Sequence, residues 1–282
     1  MGKWKPLRSS ERSGLTPARL AAHCAAQWLA RAARAYIPPT ANDSHTNFGW
    51  DHGLGGFATH PLPDTSRLAL RIADMTLLLS GARDGEQALS LRDRNDADIR
   101  TWLAPQLSAR GLDPAALDAM PPYEMPASPI ATGGRYLLDG LEPALGELAG
   151  WYDNASRALD TVQQELVASG FHAPPVRCWP HHFDLDTLIY FDAQNTRSMG
   201  AGFSPGDEYY DQPYFYVSLY PAPDVTTLPA LPIGHWHSRH FTAAVATSGH
   251  IVAESDQGAA VASFLRAATG IIIGALSVQP TE

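Results

Sequence analysis

Three short polar blocks carry the residues of this chain that could do chemistry: Pro180-His181-His182-Phe183-Asp184, Ser204-Pro205-Gly206-Asp207-Glu208 and Gly234-His235-Trp236-His237. Six of the eleven histidines, at positions 181, 182, 235, 237, 240 and 250, lie between residues 176 and 250. If 177–191 runs as one strand, its side chains alternate. His181, Phe183, Leu185, Thr187 and Ile189 then share one face, and His182, Asp184 and Asp186 the other. An imidazole followed by carboxylates at two-residue steps can hold a divalent cation, or pair a general base with the group that orients it. The same pattern also clothes the wet face of a half-exposed strand. Joined by the acid of the second block, His182, Asp184 and Glu208 form a candidate catalytic set. His182, Asp184, His235 and His237 form a candidate nitrogen and oxygen set for a divalent metal. The His-x-His spacing also occurs in cupins, but their following glutamate and larger pattern are missing here.

Aromatic residues crowd the same region. Trp179, Tyr209, Tyr214, Tyr216 and Trp236 are candidate ligand-binding residues, able to grip a flat or sugar-like molecule through ring faces and phenolic tips. Packing in a core is the alternative, and Phe215 and Val217, one step out of phase with Tyr214 and Tyr216, are expected there. Residues 202–206 match Gly-x-Ser-x-Gly, the nucleophile elbow of α/β-hydrolases, but Pro205 lacks the N–H that would complete an oxyanion hole. A tight turn centred on Pro205 and Gly206 is the better reading. Lys3 and Lys5 are the only lysines. Placed in a tail, they leave no amine for a pyridoxal phosphate Schiff base and none for a P-loop nucleotide site, so both cofactors are excluded while a divalent metal stays open. A smaller polar cluster, His45, Asn47, Trp50, Asp51 and His52, precedes Gly53, Gly55 and Gly56.

The elements that must position these residues follow from periodicity. Residues 1–14 are expected to be a disordered tail. In a first half over 15–119, Leu20, Cys24, Trp28, Ala32 and Tyr36 recur every four residues and predict an amphipathic helix stopped by Pro38 and Pro39. Strands are predicted near 46–59, 67–80 and 87–92, then a helix capped by Asp96 and ending at Gly111. Residues 120–134, rich in proline and glycine, read as a connection. The second half, 135–282, opens with a helix from Pro143 to Gly170 whose stripe includes Leu145, Leu148, Tyr152, Leu159 and Leu166. Strands near 176–191, 213–220 and 241–253 follow, then a helix from about Asp256. The layout is α+β: two similar halves of helix, three strands and helix, with mixed or antiparallel sheets packed by helices and a possible pseudo-twofold duplication.

The blocks 177–191, 200–217 and 234–237, together with 44–63, resemble the signature blocks of a bacterial family known only as a domain of unknown function. That resemblance covers most of the chain and implies no activity, cofactor or catalytic residue.

Composition bounds the rest. With 282 residues, 45% hydrophobic and a net charge of -9, the chain can bury a sizeable core and has no clustered basic surface for nucleic acid. No window is expected to reach the ~18–20 apolar residues that cross a bilayer, so no membrane partner is expected. Two cysteines are too few for a disulfide framework, which fits a cytoplasmic location. The partner that remains is a small molecule. Two functions stay open: a hydrolase-like enzyme using His182, Asp184 and Glu208, assisted by a metal, or a non-catalytic protein that binds a small ligand with the same residues.

Overall fold

Alanine, the strongest helix former and a small one, fills much of Arg12–Tyr36, and this segment forms α1. The four-residue spacing predicted one apolar stripe, but residues 21–30 are buried all round, with His23 and Gln27 among them. Both polar side chains are satisfied by the Pro180 carbonyl: His23 Nε2 lies 2.8 Å from it, and Gln27 Nε2 donates to it at 2.8 Å. The His23 ring also stacks on Phe183, with centroids 5.0 Å apart.

The structure, a computed structural model, describes residues 4–7, 12–81, 85–119 and 121–278. They divide into two units, Ser13–Ala149 with Arg177–Phe183, and Gly150–Val176 with Asp184–Glu282 and Met1–Arg12. These are the amino-terminal and carboxy-terminal units below.

The amino-terminal unit holds α1, then β1 (Phe48–Asp51), β2 (Gly56–Thr59), β3 (Arg67–Arg71), β4 (Thr76–Gly81) and β5 (Gly85–Ser90). Five strands thus stand where three were expected. The two longer runs are hairpins, turned where Gly55 (φ 67°) and Met75 (φ 51°) take left-handed backbone. With β6 (Arg177–Trp179) beside β1, the order is β6-β1-β2-β3-β4-β5, antiparallel throughout. Gly56 must lack a side chain, since a Cβ there would stand 2.0 Å from the Leu70 carbonyl oxygen. The helix α2 (Asp96–Ala109) is capped by Asn95 rather than Asp96. Asn95 accepts from the Asp98 N–H, and the Asp98 carboxylate accepts from the Asn95 N–H. Ile99, Leu103 and Leu107 form its buried face. Residues 121–134 do more than connect. They fold back on α1, where the Tyr123 hydroxyl donates to Gln27 Oε1 at 2.8 Å and Ser128 Oγ lies 3.3 Å from Cys24 Sγ. Met120 falls outside the described residues.

In the carboxy-terminal unit the helix α3 (Glu142–Ala168), from Gly150 onward, buries Trp151, Tyr152, Ala155 and Leu159 completely. The strands are β7 (Asp184–Tyr190), β8 (Ser198–Ser204), β9 (Tyr214–Tyr220), β10 (His235–His237) and β11 (Ala243–Thr247), antiparallel in the order β7-β8-β9-β11-β10. The predicted strand over 241–253 stops at Thr247 because the short helix α4 (Ser248–Val252) begins there. One sheet face is apolar: Leu185, Ile189, Met199, Phe203, Phe215 and Val217 are all fully buried. Against it lie Trp151, stacked 6.0 Å from Phe203, and α5 (Gln257–Val278). α5 is the one described helix long and apolar enough to cross a membrane, with a mean hydropathy of 1.8 over Gln257–Leu276. The expectation that no such window exists is therefore corrected. Here its apolar side, Val261, Phe264, Leu265, Ala268 and Ile272, is buried, and the helix contacts β8, β9 and β11.

The tail expectation fails for residues 4–7. Leu7 is buried, the Trp4 indole donates to Gln257 Oε1 at 3.1 Å, and Lys5 Nζ lies 3.0 Å from the buried Asp153 carboxylate. Lys5 thus belongs to the fold, its ammonium paired rather than lost in a tail. Residues 1–3 and 8–11 lie outside the described set. The class is α+β. The two strand orders differ, because the amino-terminal meander is sequential whereas β11 stands between β9 and β10.

Candidate functional site

Cross-strand register on the second face of the carboxy-terminal sheet sets Asp186, Gly202, Tyr216, Val245 and His235 in one row. Gly202 leaves room for Tyr216, whose ring lies over it. An added Cβ would stand 2.3 Å from the ring and 2.7 Å from the Leu185 carbonyl oxygen. The Tyr216 hydroxyl thereby reaches across to Asp184 Oδ2, donating at 2.6 Å. One strand pair along, the Tyr214 hydroxyl donates to Asp207 Oδ2 at 2.5 Å. Burial, reinforced by the neighbouring carboxylates, pushes both phenols far above the ordinary tyrosine range, so both remain donors.

Asp207 organises the loop between β8 and β9. Gly206, at φ 110°, makes the turn that Pro205 begins. Asp207 Oδ1 then accepts from the backbone N–H groups of Tyr209 and Tyr210, at 2.8 and 3.0 Å. This is an Asx turn, in which a carboxylate stands in for backbone acceptors. It delivers Tyr210 to β10, where its hydroxyl lies 2.9 Å from His235 Nε2 and 2.8 Å from His237 Nδ1.

The proton order in this triad follows from its far end. His237 Nε2 lies 2.5 Å from the Arg239 carbonyl oxygen, which can only accept. In a neutral His237 that nitrogen is therefore the N–H, and Nδ1 accepts from the Tyr210 hydroxyl. The Tyr210 oxygen in turn accepts from His235 Nε2–H, which leaves His235 Nδ1 with the lone pair. Partial desolvation, followed by the His250 and His237 imidazoles, lowers the His235 pKa and favours this neutral state. A backbone carbonyl thus fixes which nitrogen of an exposed histidine is the base. Beside it, Tyr209 is 44% exposed and lies 5.0 Å from Phe241 and 5.9 Å from His240, while Phe241 stacks on His237 at 4.2 Å. These rings form an open aromatic platform next to the triad.

The strand expected over 177–191 is broken by a turn at 180–183, where Phe183 takes φ 58° and its N–H bonds the Trp179 carbonyl at 2.7 Å. His182 therefore does not continue the Asp184 and Asp186 face. It lies exposed in the amino-terminal unit with its ring 4.2 Å from His181, and Trp179 stands edge-on to His181. Of the candidate catalytic set, His182 belongs to the amino-terminal unit, Asp184 holds Tyr216 in the carboxy-terminal unit, and Glu208 is exposed while Asp207 takes the loop's hydrogen bonds. Among the described residues no group of three or more His, Cys, Asp and Glu side chains is placed to hold a metal ion. Within the carboxy-terminal unit, His235 and His237 share Tyr210. Of the predicted ligand residues, Tyr209 is on the platform, and Tyr214 belongs to a buried cluster with Ala243 and Val245 against which Tyr216 and Phe241 pack. Trp236 turns to the other side of β10, where its indole donates to the Pro229 carbonyl at 2.8 Å. In the amino-terminal cluster, His45 and Asn47 are buried in local bonds, Asn47 Oδ1 lying 2.9 Å from His60 Nε2. Asp207 and Tyr210, which were not among the candidate site residues, organise this surface. Aspartate after Pro-Gly is an Asx-turn signal that sequence offers, whereas the reach of Tyr210 to two histidines depends on strand order.

Compared with known proteins, the chain matches no family model, no curated protein and no solved structure.

Proposed function

We propose that this chain is a small-molecule-binding protein whose ligand lies on the Tyr209, His240 and Phe241 platform and gives a hydrogen bond to His235 Nδ1. The observation that carries this reading is the His235–Tyr210–His237 chain, held in one direction by the Arg239 carbonyl. Its hydrogen bonds are complete internally, so the site presents one oriented acceptor beside flat apolar surface, the combination that recognises a planar molecule with an N–H or O–H donor. Binding is favoured over hydrolysis because Asp184 and Asp207, the acids that meet Tyr216 and Tyr214, are each engaged by a tyrosine hydroxyl. A hydrolase needs one of them placed to move a proton on a substrate.

The test is a ligand-observed NMR screen of planar fragments with and without a donor group, using wild-type protein, Tyr209→Ala and His235→Ala. Donor-bearing fragments are expected to bind wild type and to lose about tenfold or more in each variant. Hits that bind all three proteins equally would overturn the reading.

A further inference from the structure

The amino-terminal unit holds a second feature independent of the histidine site, a cavity of about 760 Å³. Cys24, Gln27 and Arg31, one face of α1 at steps of three and four, form one wall, and the segment 121–132 forms the other. Cavities of ~300–1,000 Å³ are the usual size of small-molecule sites. Across the two walls the uncharged polar side chains answer one another: Tyr123 donates to Gln27, and Cys24 meets Ser128. What the lining leaves for a ligand is its three charged residues, Arg31, Asp96 and Glu124, beside the apolar Met125, Pro126 and Ile130.

Arg31 is held ready for a carboxylate. Its guanidinium lies 4.7 Å from the ring of the buried Trp28, and Nη1 meets Asp96 Oδ2 at 3.2 Å. These contacts position the group yet use one of its five N–H donors among the described residues. The side chain is still 22% exposed and lines the cavity, so a second carboxylate can take two of the remaining donors in the paired geometry that guanidinium favours. Glu124 supplies the opposite sign: it is exposed, and among the described residues its carboxylate has no ion pair. Asp96, with 42% of its side chain exposed, stands in the same lining. Two acids against one base repel a simple anion, and a simple cation would leave the Arg31 donors unused. A ligand bearing both signs answers all three.

We infer that this cavity binds a free amino acid with an apolar side chain. Its carboxylate pairs with Arg31, its ammonium meets the Asp96 and Glu124 carboxylates, and its side chain packs on Met125, Pro126 and Ile130.

L-Leucine is the probe, titrated into the full-length protein by isothermal calorimetry beside L-leucinamide, which lacks the carboxylate, and N-acetyl-L-leucine, which lacks the ammonium. Wild type is expected to bind L-leucine saturably and each analogue about tenfold more weakly. This comparison needs no variant to fold. Arg31→Gln is expected to bind L-leucine and L-leucinamide equally, and Glu124→Gln to lose affinity for L-leucine but not for N-acetyl-L-leucine. Absence of saturable L-leucine binding by wild type would overturn the inference, and so would equal affinity for all three ligands, which marks a pocket that reads only the side chain. An Arg31→Gln protein that is folded by circular dichroism and still prefers L-leucine to L-leucinamide would overturn it as well.

Discussion

Two neighbouring acids show how little residue type says about role. Asp207 and Glu208 stand side by side, yet Asp207 accepts from two backbone N–H groups and the Tyr214 hydroxyl, while Glu208 is exposed and meets only the Tyr209 hydroxyl at the surface. Asp207→Ala is expected to destabilise the protein by about 2 kcal/mol or more, because three donors lose their acceptor. Glu208→Ala is expected to stay within about 0.5 kcal/mol. Urea unfolding of both variants checks the contrast. His23 offers a second test. Burial, partly opposed by the Pro180 carbonyl and assisted by Arg19, His182 and His181, lowers its pKa to about 4. The folded state therefore resists protonation that the unfolded chain accepts at its ordinary value of 6.5. Stability from this group is complete above that value and is lost as pH falls toward 4. Between pH 7.5 and pH 5 the loss is about 2 kcal/mol. His23→Gln should flatten that part of the stability profile measured by denaturant titration, whatever its effect at pH 7.5.

At the scale of elements, the polar face depends on a strand position with no side chain. Gly202→Ala would press a methyl group on the Tyr216 ring and the Leu185 carbonyl, a cost of about 1–3 kcal/mol. It should also separate Tyr216 from Asp184, visible as a changed Tyr216 ring environment by NMR. The helices were largely legible in the sequence, because the spacing of Tyr152, Ala155, Leu159, Val162 and Leu166 needs only one chain segment to be read. Strands were legible as apolar alternation but not in number. The turns at 52–55 and 72–75 lack an Asn-Gly or Asp-Gly pair, and a left-handed Met75 is not something composition announces. The break at 180–183 was hidden for the same reason: Phe183 at φ 58° continues the hydrophobic count while reversing the chain. Of the site, the shared face of His235 and His237 follows from a period of two. Their joint partner does not, because β10 pairs only with β11 and Tyr210 arrives from the loop before β9.

For the molecule as a whole, α+β class and a large buried core are what the composition required, and in one unit α5 packs its apolar side against β8, β9 and β11. Phe264→Ala, which removes a fully buried ring from that helix, is expected to cost about 3–5 kcal/mol in chemical denaturation. Arg266, on the same helix, pairs with Glu165 at 2.7 Å in the open, and Arg266→Ala is expected to cost under about 1 kcal/mol. Direction of synthesis gives the helix a further significance. The strands that receive it, β8, β9 and β11, all precede it in the chain. By the time a ribosome releases this stretch, greasy enough to pass for a lipid anchor, the surface meant to shelter it has already been made. In translation order the shelter comes first and the sheltered segment last of the four elements.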